Sequence, residues 1–446
     1  MKNLNTFYNV SSICLIGASD KENSIGYTIS KNLSFFKKDV FYVNPRLSGK
    51  YIFNKKVFSS ILDINKQIDI VIIAISHNLI LDVIKDISKT TCKNIILISS
   101  GFLEIGNKQL SLDLNNILDK NKINLLGPNC LGYVDLYNNL NASFISSEVK
   151  FPQKGNVSLI SQSGALGLSF LDRANFENIG VSKFFSYGNS LDISESDLLL
   201  SLENEKNTKI ILCYIEGIKD GNLFLKTLKK VSKSKKIIIL KGGISNKGIV
   251  AATSHTAAIA GSFDVFKSAC KQSGAYLVNS ISEMFSLAKV FSNYDYLDLS
   301  NIQIITNGGG FGVLTSDQLD FNGFNLPSIS KKSFEKIKKI VPSYAVIKNP
   351  LDLTGDCDNF RFIKTINICL NDKNISCLIL LFLFQLSTIN QDILIEIINI
   401  RKKSKKPIFV LAIGGFQTNI FLETLEKNNV ICFKDPKDLS DILKFI

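Results

Sequence analysis

The sequence predicts an α/β protein with doubly wound, largely parallel sheets in three successive units. Short β-branched runs alternate with longer amphipathic segments along almost the whole chain, and each run ends in polar or glycine-containing turn residues. The length of 446 residues also exceeds what one core sustains, so two or three domains are expected. In the first third, Ile13 to Ile16 leads into Gly17. Val40 to Val43, Ile70 to Ile75, Ile95 to Ile98 and Asn124 to Leu126 follow, giving a five-strand Rossmann-type unit. A break with Pro152 and Gly155 opens a second cycle: Val157 to Ile160, a helix from about Gly164, then Lys183 to Phe185, Ile210 to Ile215 and Ile237 to Leu240. A helix starting near Ser262 closes it. After the polar stretch Ser292 to Asn301, the third cycle runs through Ile302 to Thr306, Cys377 to Phe384 and Ile408 to Ile413. The domains drawn from this reading are 1–147, 148–297 and 298–446.

Composition removes several classes of function. Hydrophobic residues make up 45% and charged residues 20%, which suits a globular chain. The longest apolar run, Cys377 to Phe384, is far too short for a bilayer, and the N-terminus lacks a basic region followed by a long apolar stretch, so no membrane partner is expected. The net charge of +13 is spread over dispersed lysines such as Lys37-Lys38, Lys235-Lys236 and Lys402-Lys403. That pattern fits solvated faces and a polyanionic small ligand rather than nucleic acid. Nine cysteines without a CxxC or a Cys/His ligand spacing point to free thiols in a reducing cytoplasm and to no metal site.

Three loops have the chemistry of anion sites. The first strand delivers Gly17-Ala18-Ser19-Asp20, with Gly26 at the opening of the next helix, so backbone amides can face a phosphate. The second strand ends Val43-Asn44-Pro45-Arg46 and lacks the acidic residue of a plain NAD site, which favours a phosphorylated ribose as in NADP or coenzyme A. Ser161-Gln162-Ser163-Gly164 repeats this logic after the strand Val157 to Ile160; the alternative for this loop is an ordinary helix N-cap. The third loop, Asn307-Gly308-Gly309-Gly310-Phe311-Gly312, precedes a helix expected from Val313. Consecutive glycines there suit close approach of a ligand, or simply a permissive turn.

His255, one of two histidines, lies in the small-residue stretch Lys241 to Gly261 and reads as a side chain on a loop, free to reach out. A neutral imidazole can attack a phosphoryl group and hold it as a phosphoramidate when a carboxylate orients its other nitrogen. Glu216, in Tyr214-Ile215-Glu216-Gly217 at a strand end, is the candidate carboxylate; its alternative is a solvent-facing glutamate. His77, after the third strand, either lines a ligand loop or faces solvent.

Together these residues resemble the NDP-forming acyl-CoA synthetases, the superfamily that includes succinyl-CoA synthetase, over nearly the whole chain. The resemblance rests on Gly17-Ala18-Ser19, Val43-Asn44-Pro45, Ser99-Ser100-Gly101-Phe102 and Gly127-Pro128-Asn129-Cys130-Leu131-Gly132 in the first unit. In the second it rests on Ser161 to Leu166, Ser186-Tyr187-Gly188-Asn189, Tyr214 to Gly217 and Ser254-His255-Thr256. In the third it rests on Asn307 to Gly310 and Asn349-Pro350-Leu351-Asp352-Leu353. It implies a Rossmann-like CoA-binding domain followed by two flavodoxin-like α/β domains. It also implies coenzyme A contacts at Gly17, Ala18, Ser19, Asp20, Asn44, Pro45, Ser76 and Asn129. Phosphate would be held by Ser161, Gln162, Ser163 and Gly164 and by Gly308, Gly309 and Gly310; His255 would be the phosphorylated histidine and Glu216 its orienting partner. The implied reaction interconverts acyl-CoA, ADP and phosphate with carboxylic acid, coenzyme A and ATP through an acyl phosphate. Family members often have glycine where Ala257 stands and proline where Ser76 stands. No ATP-grasp pattern is visible, so the chain resembles the α-type subunit of the acetate–CoA ligases in this family. ADP or ATP with Mg2+ is then expected on a separate ATP-grasp β subunit. A non-catalytic acyl-CoA-binding regulator is the alternative from another class, and a Rossmann oxidoreductase is a third reading.

Overall fold

The structure is a computed structural model and describes residues 2, 4–256 and 262–446, with the side chains of 253–256 outside that description. Three sheets carry the chain. The first is built from β1 (Ser12–Ile16), β2 (Asp39–Val43), β3 (Tyr51–Ile52), β4 (Lys55–Phe58), β5 (Ile70–Ile73), β6 (Asn94–Leu97) and β7 (Asn124–Leu126), in the order β3-β4-β2-β1-β5-β6-β7. Its pairs are parallel except β3 with β4. The expected five strands are present, and a short hairpin at the edge adds two. Chain order reverses between β1 and β5, which makes the carboxyl ends of these two strands the place where a doubly wound sheet opens a crevice.

The second sheet comprises β8 (Gly132–Asp135), β9 (Leu140–Ser143), β10 (Lys154–Ser161), β11 (Val181–Ser186), β12 (Ile210–Ile215), β13 (Lys236–Lys241) and β14 (Tyr276–Val278), ordered β14-β13-β12-β10-β11-β8-β9. Its edge differs from the sequence reading. Residues 132–143, counted there with the first domain, form an antiparallel hairpin that joins the second sheet through β11. The reason is packing: Tyr133 stacks on Phe185 at 4.6 Å and its hydroxyl donates to the Phe7 carbonyl at 2.8 Å. One apolar core accordingly runs from Leu15 and Ile72 of the first sheet to Phe185 and Ile211 of the second. Residues 1–288 form one compact unit by their contacts, and residues 289–446 a second.

The second unit holds the third sheet: β15 (Ile302–Thr306), β16 (Val346–Ile347), β17 (Leu351–Asp352), β18 (Cys377–Phe382), β19 (Ile408–Ala412) and β20 (Ile431–Phe433), in the order β16-β17-β15-β18-β19-β20. The central strands β5 of the first sheet and β15, β18 and β19 of the third are buried along their whole length, as apolar runs in parallel sheets require. All nine cysteines are unbridged, and eight are buried. Among the described residues no helix is long and apolar enough to cross a membrane, and no group of metal-ligating side chains assembles.

Candidate functional site

A cavity of about 780 Å³ lies within the first unit. It is bounded by Ala74, Ser76 and His77 after β5, Ile98 to Ser100 after β6, and Asn129 to Leu131 after β7. The start of the helix Gly164–Phe176, at Gln162, Ser163, Gly164 and Ala165, closes it. Its size suits a ligand pocket. Two residues expected to contact coenzyme A, Ser76 and Asn129, are thereby brought to the same space as three of the four residues of the 161–164 phosphate loop.

The loops around it are tied together. Asn129 takes a left-handed φ of 56°, its amide donates to the Ser99 carbonyl at 2.9 Å, and Ser99 Oγ donates to the Ile75 carbonyl. Asn129 Nδ2 donates to Asn189 Oδ1 at 3.3 Å, and Asn189 Nδ2 in turn donates to Glu104. Burial opposes the Glu104 charge, but the amides of Gly101 and Phe102 and the Asn189 side chain outweigh it and hold the carboxyl below its usual value. Glycine is required at 188: its φ is +52°, and a Cβ there would lie 2.3 Å from the Pro128 and Asn129 carbonyl oxygens. Neither Glu104 nor the role of Asn189 was visible in the sequence, because the polar chain Asn129–Asn189–Glu104 joins residues 85 and 60 positions apart.

The other residues expected at coenzyme A lie at the carboxyl ends of β1 and β2 and do not line this cavity. Gly17 packs so closely that a Cβ would sit 2.3 Å from the Ala74 oxygen, and Ala18 is buried. Ser19 Oγ accepts from the Lys21 amide at 3.0 Å, and Asp20 is exposed. Asn44 Nδ2 donates to the Ala18 carbonyl at 2.8 Å and ties the two loops, while Pro45 opens the following turn.

At the 161–164 loop, Ser161 Oγ turns inward to donate to the Ser163 carbonyl, and Ser163 Oγ caps the helix from the Leu166 amide at 3.4 Å. Both hydroxyls are therefore engaged locally, and the N-cap reading holds for Ser163. What remains for an anion is the backbone. Amides of a first helical turn have no intrahelical acceptor, and Gly164 and Ala165 face the cavity. Gln162 is 5% exposed, and its Oε1 accepts from the Glu216 amide at 2.7 Å, the Gly217 amide at 3.1 Å and the Tyr187 hydroxyl at 3.4 Å. It thus fixes the end of β12 against the phosphate loop.

Glu216 is half-buried rather than solvent-facing, and its Oε2 is buried with no hydrogen-bond partner among the described residues. Burial, then the charge and hydrogen bond of Glu216, push the Tyr214 hydroxyl well up. Lys241 Nζ donates to the Glu216 carbonyl at 2.6 Å and to the Gly242 carbonyl, and burial lowers its ammonium while Glu216 opposes that shift. A buried carboxylate oxygen without a donor is costly, which marks a position built to receive one.

His255 lies on a helix, Asn246–Thr256, and not on the expected loop. Ser245 Oγ accepts from the Gly248 amide at 3.1 Å at its start, Gly243 packs against Ala252, and the alanines at 251 and 252 favour helix. This helix lies against the turn Leu103–Ile105, which carries Glu104. The His255 side chain and residue Ala257 lie outside the described residues.

In the second unit the helix begins at Gly309, four residues before the expected Val313. Packing overrides the low helix propensity of glycine: a Cβ at Gly308 would meet Leu383 at 2.5 Å, and one at Gly309 would meet Asp352 at 2.6 Å. Gly310 is exposed and a Cβ there would meet nothing. Asn349 serves the framework, with Nδ2 donating to the Ile302 carbonyl at 2.7 Å and Oδ1 accepting from the Ile304 amide at 3.1 Å. Gly310→Ala should therefore keep or raise thermal stability, by up to about 1 kcal/mol. If a phosphoryl group approaches this turn, its transfer should fall roughly 10- to 100-fold; paired melting curves and transfer assays check both.

Three domain families match the chain: a CoA binding domain over residues 11–135, a succinyl-CoA ligase like flavodoxin domain over 154–291 and a Ligase-CoA domain over 302–423. The α subunit of acetate–CoA ligase [ADP-forming] II from Pyrococcus furiosus is 34% identical, with 98% of this chain and 96% of that subunit aligned. The 4-hydroxybutyrate–CoA ligase [ADP-forming] of Nitrosopumilus maritimus is 33% identical over 94% of this chain, which spans 60% of that enzyme. Among solved structures, the dinucleotide forming acetyl-coenzyme A synthetase 1 of Ca. Korarchaeum cryptofilum, in complex with phosphate and ADP, superimposes with a TM-score of 0.91 at 32% identity, covering 100% of this chain and 96% of that one.

Proposed function

The chain belongs to the NDP-forming acyl-CoA synthetase family, as an α-type subunit and acid–thiol ligase, and on that premise we propose how its residues divide the work. The observation that carries the proposal is the single cavity shared by the loops of Ser76 and Asn129 and by the phosphate loop 162–164. The thiol end of coenzyme A enters from the first-sheet side, while phosphate sits on the free amides at Gly164 and Ala165, favoured by the helix dipole. Phosphate attacks the thioester carbonyl, the C–S bond breaks, and an acyl phosphate forms. Gly17, Ala18, Ser19, Asp20, Asn44 and Pro45, next to the chain reversal between β1 and β5, hold the nucleotide end of coenzyme A.

His255 then takes the phosphoryl group, leaving the carboxylic acid. The buried Oε2 of Glu216 accepts the N–H of the imidazole nitrogen that does not react and favours the correct tautomer. The helix start at Gly308, Gly309 and Gly310 offers a second cradle for the phosphoryl group. ADP with Mg2+ is held by a separate ATP-grasp subunit, in a reducing cytoplasm. The acyl group is a small carboxylate of the kind that gives the relatives their names, acetate or 4-hydroxybutyrate. A non-catalytic acyl-CoA regulator is not favoured, since the relatives are ligases.

The test is to incubate the chain with acetyl-CoA and labelled phosphate. Acid-labile label on the protein is the expected result, and Glu216→Gln should lower it by roughly 10- to 100-fold. Bound coenzyme A with no label on the wild type would overturn the ligase reading. Unchanged label in Glu216→Gln would assign the orientation of the ring to another group.

A further inference from the structure

The cavity must also handle a proton. Each time a thioester forms in it, the coenzyme A thiol loses its hydrogen, and the thiolate is the competent nucleophile. Most of the described side chains that line the cavity are apolar, hydroxyl or amide. Two could give up or take a proton, His77 and Cys130. Cys130 is 3% exposed, its Sγ donates to the Leu97 carbonyl at 3.3 Å, and burial pushes its thiol up to about 12, so it stays protonated.

His77 is placed differently. It is half-buried at the cavity wall, in the turn after β5, and its ring lies in space left by Gly101: a Cβ there would be 2.5 Å from Nδ1 and 2.6 Å from Cγ. Gly101 has a φ of +109°, a backbone conformation that suits glycine. The ring is thus seated by the loop after β6, and that loop is tied to Asn129 through the Ser99 carbonyl. The charged group beside the Gly101 contact is Glu104, bonded to the Gly101 amide. On His77's own side, Asp82 and Lys85 of the following helix pair with each other at 2.9 Å.

We propose that His77 is the base that takes the thiol proton of coenzyme A in this cavity, a role that rests on the ligase reading above. In the thioester-forming direction the S–H proton passes to the imidazole, and the sulfur forms a bond to the acyl carbon of the acyl phosphate. The bond between the acyl carbon and the bridging oxygen breaks with its electron pair on that oxygen, which departs with the phosphate. The imidazolium proton is passed on to that phosphate, which leaves as the hydrogen phosphate dianion. The reverse reaction retraces these steps, with His77 as the acid.

The test compares wild type with His77→Gln, which keeps hydrogen-bonding capacity and removes the base. Coenzyme A affinity is measured by calorimetry, and thioester formation from acetyl phosphate and coenzyme A by ultraviolet absorbance. Affinity should stay within about threefold, whereas thioester formation at pH 7 should fall about 100-fold or more. That loss should shrink about tenfold per pH unit toward pH 9 as the free thiol ionises by itself. A second readout needs no turnover: iodoacetamide should alkylate bound coenzyme A faster than free coenzyme A at pH 7, and His77→Gln should abolish that advantage. Wild-type rates in the variant, a loss explained wholly by weaker binding, or equal alkylation in both proteins would overturn the assignment. Failure of the wild type to bind coenzyme A would instead overturn the reading of the cavity itself.

Discussion

Replacing His255 by asparagine should abolish acid-labile phosphorylation of the chain and lower acyl-CoA-dependent ATP formation, measured with an ATP-grasp partner, by at least about 10⁴-fold. Asparagine is tolerated near a helix end, so the helix Asn246–Thr256 should survive the change. The amide, however, has no nitrogen lone pair able to attack phosphorus. The chain's other histidine, His77, lies in the cavity wall on the turn after β5 and is held against Gly101. On the division of work proposed above, acyl phosphate forms in the cavity on the amides of the 161–164 loop, so this first step should persist when the second is blocked. Acetyl phosphate accumulating in His255→Asn, trapped with hydroxylamine, is the corresponding positive signal. Label remaining on the variant would show that another residue carries the phosphoryl group.

How far the sequence revealed this site follows from where its energetics lie. The central strands were legible because a parallel strand covered on both faces must be an apolar run, and Ile70 to Ile73 or Cys377 to Phe382 can hardly be anything else. The hairpin Gly132 to Ser143 was not, since its place in the second sheet depends on Tyr133 meeting Phe185, 52 residues away. Glycine misled in the third unit. Gly309 to Gly312 has low helix propensity, and only the crowding of Leu383, Asp352 and Pro350 shows why the helix starts there. The same holds for His255, where small residues read as a loop form a helix with its alanine packed on Gly243. At the candidate site, residue types at strand ends singled out Glu216 and the 161–164 loop as candidates. The three bonds to Gln162, the orphan oxygen of Glu216 and the seating of His77 on Gly101 are long-range contacts that no local pattern encodes.

Lys183→Met should destabilise the protein by roughly 3–5 kcal/mol at pH 7, the cost of removing one partner from a buried ion cluster. Lys183 is 2% exposed on β11, and its Nζ lies 3.3 Å from Asp135 Oδ2 on β8 and 3.2 Å from Glu205 Oε1. It therefore bolts the antiparallel hairpin to the parallel part of the second sheet. Methionine fits the volume but leaves two carboxylates facing each other in the interior. Asp135 keeps the amides of Tyr137 and Asn138 as donors and Glu205 keeps the Thr208 hydroxyl and the Asn207 side-chain amide, so what both lose is their shared counter-charge. Burial opposes the Glu205 charge, yet the Thr208 hydroxyl and Lys183 outweigh it and hold its carboxyl below its ordinary value. A depressed carboxylate stabilises the fold above its unfolded pKa, and that contribution disappears as pH falls through the folded value. The gap between wild type and Lys183→Met in urea unfolding should therefore be full at pH 7 and shrink as pH falls through the depressed Glu205 value, where that carboxyl becomes neutral. A difference under about 1 kcal/mol at pH 7, or one that grows on acidification, would show that the strand pairing and the Tyr133–Phe185 stack hold the hairpin without the ion cluster.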